Sequence, residues 1–199
     1  MSKEDKIIEK NELKNLKAIE KSKEKKYIDY KWIIKIVLIT FAISLALSFV
    51  SGVTLPSVPT IVGILLVLIF ILIGVIFDMI GVAVTASDLS VFNSMSSRKV
   101  KGAKLAVKFK KNADKVSSFC NDVIGDICGV VSGSCGITIA TNISKNFNTN
   151  YLITSLIVTS IVSAMTIGGK AMGKNIAINK SDTILYKFCL FLNNFWKVK

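Results

Sequence analysis

"IVGILLVLIFILIGVIFDMIGVAVTA", residues 61–86, carries a single ionisable side chain, Asp78. As an α-helix this run extends about 39 Å, against an apolar bilayer interior of about 30 Å. It therefore predicts a membrane-crossing helix that tilts, bends or leaves the bilayer near its end. That end is the polar cluster "TASD", residues 85–88.

Outward from this run, apolar and basic segments alternate along the chain. Residues 33–50 are apolar apart from Lys35, which lies one turn from the Lys31/Trp32 end and can reach the interface. The connector "SGVTLPSVPT", residues 51–60, holds both prolines and no charge. Residues 119–140 and 151–167 complete four candidate spans, the last two joined by "TNISKNFNTN", residues 141–150, with one lysine. A balance of 51% hydrophobic to 20% charged residues in a 199-residue chain suits a soluble domain poorly, unless the apolar residues are segregated as they are here.

Charge sets the expected topology. Lys and Arg number ten in residues 1–31, eight in 96–118 and six from Lys170 onward, while the two remaining loops together hold one, Lys145. The positive-inside preference then predicts both termini on the cytoplasmic side. The expected fold is all-α, a polytopic four-span protein with a charged tail over residues 1–31 and a membrane domain over 32–199. The tail alternates its lysines with seven acids and spaces Ile7, Ile8, Leu13, Leu16 and Ile19 helically, as a partly helical segment near anionic lipid would. Residues 96–118 predict a basic juxtamembrane helical hairpin, with Val100, Leu105, Val107 and Phe109 as its apolar positions. Ser181 and Asp182 predict the cap of an interfacial helix over 182–196, too short and too interrupted by Lys187 to span. Because the first apolar run follows a long charged segment, a span or signal anchor is expected and a cleavable signal peptide is not.

Several chemistries are disfavoured. The chain has no histidine, and Cys120, Cys128, Cys135 and Cys189 lie in or beside apolar segments, so the usual zinc ligand sets and a cysteine–histidine pair are missing. No nucleophile–base constellation or phosphate loop is present, and an enzyme is not expected. The basic charge accompanies membrane spans, so nucleic acid is not an expected partner.

The polar residues inside the spans carry the functional signal. In "NDVIGDICGVVSGSCGI", residues 121–137, Asp122 and Asp126 stand four apart, about 40° around a helix axis, with Asn121 beside them. Gly125, Gly129 and Gly133 repeat the four-residue step about 60° away, a stripe against which another helix can pack. A charge near mid-bilayer costs roughly 2.5–3.5 kcal/mol and needs compensation. Oxygen ligands without histidine or usable thiolate suit a hard cation such as Mg²⁺, which keeps several waters. Alternatively the two acids are solvated near the span entry or paired with Lys115. Asp78 pairs with a polar group of another span or serves a permeation path. Thr85, Ser87 and Asp88, at the end of the second span, are the complementary oxygen donors, although Ser and Thr in spans commonly bond back to a helix carbonyl.

From about Ile71 to Phe195 the order of features resembles the membrane domain of the CorB/CorC and cyclin-M family of magnesium and cobalt transporters. "TASDLSVFNSM", residues 85–95, is similar to that family's Ser-Ala-Ser-Glu-like turn, with Asp88 at the acid. "KGAKLAVKFKKNADKVSSF", residues 101–119, resembles its basic hairpin, and "CNDVIGD", residues 120–126, its asparagine motif, with Asn121 on the first asparagine. "TIGGKAMGKNIAIN", residues 166–179, stands where Glu-x-x-Pro-Lys is expected; Thr166 replaces the acid, Gly169 the proline, and Lys170 is retained. The chain adds an amino-terminal span and lacks the family's cytoplasmic CBS pair. The resemblance implies a multi-pass plasma-membrane protein, dimeric along the inner ends of its spans. It would move Mg²⁺ or Co²⁺ through a partly hydrated site of Thr85, Ser87, Asp88 and Asn121, with Asp122 and Asp126 adding charge. Gly168 and Gly169 would let helices shift. A non-transporting scaffold or regulator derived from that family is the alternative. Abundant Lys, Ile and Asn fit an AT-rich bacterial genome.

Overall fold

The computed structural model describes residues 30–54 and 59–195. The expected charged tail, residues 1–31, lies outside the described residues apart from Tyr30 and Lys31, as do residues 55–58 and 196–199. Among the described residues every element is helical: α1 (Tyr30–Thr54), α2 (Thr60–Ala86), α3 (Leu89–Ser97), α4 (Ala103–Lys111), α5 (Ala113–Ser118), a π-helical segment (Phe119–Gly125), α6 (Asp126–Phe147), α7 (Tyr151–Asn179) and α8 (Ser181–Phe195). The chain forms two compact units, Met1–Ile39 and Thr40–Lys199. The described part of the first is the beginning of α1.

Four helices are long and apolar enough to cross a membrane: Tyr30–Val53, Thr60–Ala86, the continuous rod Ala113–Phe147, and Tyr151–Asn179. Inside the second unit α2, α6 and α7 pack pairwise as a three-helix bundle, and α2 also receives the π segment, α5 and α8. Lipid is the natural solvent for the apolar side chains this bundle turns outward, such as Leu65, Leu72, Leu156 and Ile161.

Helix starts and stops follow local chemistry. Pro59 precedes α2, where its missing N–H is no loss, and its carbonyl accepts from Val62 and Gly63 N–H at 2.9 and 3.2 Å. The Asn150 side chain caps α7 by accepting from Leu152 N–H at 2.9 Å. α6 ends at Asn148, left-handed with φ 49°, a conformation asparagine tolerates. The connection between the last two long helices is thus a three-residue turn, shorter than the loop expected over 141–150. Ser144 and Thr141 stay helical, their hydroxyls bonded to carbonyls one turn back.

Two boundaries differ from the sequence reading. The third long helix begins at Ala113, inside the expected hairpin, and the fourth continues past Ile167 to Asn179 with Lys170 and Lys174 on it. Gly169 and Gly173 do not stop α7; they let it close on α2. A Cβ on Gly169 would meet Val75 Cγ2 at 2.9 Å, and one on Gly173 would meet Met79 Cγ at 2.8 Å. This small-residue pair at a spacing of four is the seam of the bundle. The stripe expected at Gly125, Gly129 and Gly133 packs only at Gly125, since a Cβ at either of the others would meet nothing within 4 Å.

Beyond Ala86, α3, α4 and α8 gather around the end of α2. Phe92, Val84, Ala106, Leu185 and Cys189 are fully buried there together with Ile80, Leu105 and Cys120. Gly102 makes the turn into α4 with φ +80°, and a Cβ there would lie 3.3 Å from the Leu190 backbone. The Lys110 ammonium reaches back to the carbonyls of Val84 and Thr85 at 3.1 and 2.7 Å, putting a cation on the negative end of α2. Asp182 Oδ1 accepts from Asp88 N–H at 2.9 Å, fastening the first turn of α8 to the turn after α2.

Candidate functional site

The π-helical segment brings the intramembrane polar groups together. It presents Asn121 toward α2 at Gly81, where the absence of a side chain makes room: a Cβ on Gly81 would fall inside the Asn121 carboxamide. Asn121 Nδ2 donates to Ser117 Oγ at 3.4 Å, while Asn121 Oδ1 is buried and has no hydrogen-bond partner among the described residues. A buried acceptor left unpaired costs about 1–3 kcal/mol, and native folds carry few of them. One turn on, Gly125 faces both α2 and α7. From the position a Cβ would take there, Lys170 Nζ is 3.5 Å away and Asp78 Oδ1 3.8 Å. Lys170 Nζ forms an ion pair with Asp126 Oδ1 at 3.0 Å. Asp78 lies in the combined field of Lys170, Asp126, Lys174 and Asp122. Lys170 from α7 and Asp78 from α2 therefore approach Gly125 together, and Asp126 joins them through its ion pair with Lys170.

The six residues singled out from sequence divide into two groups. Asn121, Asp122 and Asp126 sit on or just after the π segment, with Asp126 paired to Lys170. Asp122 is exposed and makes no hydrogen bond or ion pair among the described residues. Thr85, Ser87 and Asp88 are engaged in the chain itself. Thr85 Oγ1 donates to Val82 O at 2.9 Å and Ser87 Oγ to Val84 O at 3.2 Å. Asp88 caps α3, accepting from Ser90 N–H at 2.9 Å and from Ser90 Oγ at 2.8 Å. These bonds hold its carboxyl below the usual carboxylate range. Among the described residues no three acidic or cysteine side chains converge as a metal-binding group. The polar groups that do meet are Asp126 with Lys170, and Lys170 with Asp78 beside Gly125; Asn121 lies one turn away against Gly81.

Sequence reasoning missed Lys170 as part of this site because it ended the last span at Ile167. The available signal was the pairing of Gly169/Lys170 with Gly173/Lys174, which repeats at four residues and carries one helix face beyond the apolar run. Gly81 was missed because nothing in "MIGVAV", residues 79–84, names its partner forty residues away.

No protein-family model matches the sequence. No curated protein and no solved structure matches it.

Proposed function

We propose that the chain is a four-span plasma-membrane protein, both termini cytoplasmic, that carries a partly hydrated divalent cation past the cluster around Gly125. The orientation is supported by the distribution of Lys and Arg, ten, eight and six on one side against one on the other. The observation that carries the transport reading is the buried Oδ1 of Asn121, without a partner among the described residues and one turn from Gly125, which Asp78 approaches. A fold that tolerates an orphaned oxygen beside intramembrane acids has a use for it, and hard oxygen donors of this kind suit Mg²⁺ retaining part of its water shell. Mg²⁺ or Co²⁺ as cargo, and a homodimer as the working unit, come from the CorB/CorC resemblance. In this proposal Lys170 is the resident counter-charge of Asp126, and cargo reaches that carboxylate as the ammonium moves aside. π segments occur frequently at functional sites, and one here leaves the helix free to adjust.

The second reading, a non-transporting scaffold, is favoured by one observation: Lys170 already compensates Asp126 at 3.0 Å. Flux of Mg²⁺ into proteoliposomes loaded with an indicator dye separates the two. Transport predicts uptake that Asp78→Asn and Asp126→Asn each reduce at least tenfold without loss of folded protein. Uptake by the unaltered chain equal to that of empty vesicles refutes it.

A further inference from the structure

α3 has two faces with different destinations. Phe92 fixes one in the core around α2, with no surface exposed. The other presents Ser90, Val91, Ser94, Met95 and Arg98, which line an open cleft of about 360 Å³. α3 begins three residues after α2 ends at Ala86, so, on the proposed spanning of α2, the cleft lies at the level of the lipid headgroups.

The charge of this stretch is mostly basic. From Asp88 to Lys111 there are seven basic residues and one acid, Asp88, whose carboxylate is engaged as the cap of α3. Lys110 is spent on the α2 carbonyls. Arg98, Lys99, Lys101, Lys104, Lys108 and Lys111 are all exposed, and none forms an ion pair among the described residues. Six unpaired cations on one short hairpin repel one another and call for an external anion. Arg98 closes the cleft with a planar fork of donors that matches phosphate. The two hydroxyls differ from it in kind. Ser90 Oγ gives its proton to Asp88 Oδ2 and Ser94 Oγ gives its own to Ser90 O, at 2.8 and 3.0 Å, so both offer lone pairs. Val91, exposed, and Met95, half-buried, supply an apolar wall.

We propose that this cleft binds the headgroup of an anionic glycerophospholipid. The phosphodiester sits on Arg98, headgroup hydroxyl protons point at Ser90 and Ser94, and the glycerol backbone rests on Val91 and Met95. Lys99 and Lys101 supply the surrounding positive field. A headgroup that both carries a phosphate and donates hydroxyl protons fits; a bare phosphate ion uses neither the lone pairs nor the wall, and choline has no proton to donate.

The test uses the full chain in mild detergent and fluorescent short-chain phosphatidylglycerol and phosphatidylcholine, read by anisotropy. The expected result is a clear preference for phosphatidylglycerol. Each basic residue removed weakens binding roughly fivefold. Arg98→Gln should show that loss, and the triple change Arg98→Gln/Lys99→Gln/Lys101→Gln a loss of more than tenfold, while Lys145→Gln changes nothing. Arg98 is exposed, so the single variant keeps the core intact. Equal affinity for the two lipids, an unchanged preference in the triple variant, or the same loss in Lys145→Gln overturns the proposal. Displacement of the lipid by millimolar inorganic phosphate also overturns it, in favour of a free-anion site. The inference rests on α2 crossing the membrane, and alkaline carbonate extraction of native membranes tests that separately. Release of the chain into the soluble fraction removes the spanning reading and this one together, whereas retention with no lipid preference removes this one alone.

Discussion

Alanine at Gly81 puts a methyl group into the Asn121 carboxamide. The built Cβ lies 2.6 Å from Asn121 Cγ and 3.1 Å from Nδ2. Turning the terminal amide about χ2 leaves Cγ where it is, so relief requires a χ1 change or a shift of the π segment. Overpacking of this kind costs about 1–3 kcal/mol, and alanine returns about 0.5–1 kcal/mol by stiffening the helix, so Gly81→Ala should lose about 0.5–2 kcal/mol. In an Asn121→Ala background the obstacle is gone and only the helix preference remains. Gly81→Ala should then gain about 0.5–1 kcal/mol, a coupling between the two sites of about 1–3 kcal/mol with a reversal of sign. Reversible unfolding by sodium dodecyl sulfate in mixed micelles, followed by far-ultraviolet circular dichroism, measures all four corners of the cycle. Equal destabilisation by Gly81→Ala in both backgrounds would refute the close approach of Gly81 and Asn121.

Asn121→Ala alone should be neutral or stabilising, because it removes an unpaired buried oxygen, yet it should abolish cation flux; the same unfolding assay and the vesicle uptake assay check the two halves. Lys110→Met removes the ammonium from the Thr85 carbonyl and leaves Val84 O with Ser87 Oγ alone, and should cost about 1–2 kcal/mol in that unfolding assay, with no change expected for the equally basic but exposed Lys111→Met. Asp88→Ala removes the α3 cap. The folded carboxyl titrates below its usual 3.8, so the wild-type advantage should be complete at neutral pH and disappear as pH falls below that value; an advantage unchanged at pH 2 contradicts the assignment. Burial pushes the Cys189 thiol up to about 12, so N-ethylmaleimide at pH 8 should leave it unlabelled until the protein is denatured, and rapid labelling of folded protein would contradict its placement.

The apolar runs were legible in the sequence because membrane burial is written in continuous stretches: four runs correspond to four helices of sufficient length. Their ends were less legible. Ile167 looked like a terminus because hydropathy falls there, but α7 continues on packing of Gly169 and Gly173 against Val75 and Met79, a contact hydropathy does not register. At the candidate site, spacing put Asp122 and Asp126 about 40° apart on one helix face; Asp122 lies on the π segment and is exposed, whereas Asp126 opens α6 and pairs with Lys170. The π turn, which no residue type announces, decided what they face. Composition grouped Thr85, Ser87 and Asp88 with the candidate ligands because they are oxygen donors next to a long apolar run. Their nearest carbonyls and the start of α3 engage them first, the ordinary outcome of short polar side chains bonding locally.

The core around Phe92 draws on residues nearly a hundred positions apart: Leu185 and Cys189 of α8 complete what Val84 and Leu105 begin. During synthesis α2 to α4 leave the ribosome well before α8 exists, so Phe92 stays uncovered until the last helix has been made. Closure of this core is therefore a late event. A chain interrupted before Ser181 would present an aromatic lesion at its surface, the kind of mark by which quality-control proteases recognise unfinished proteins.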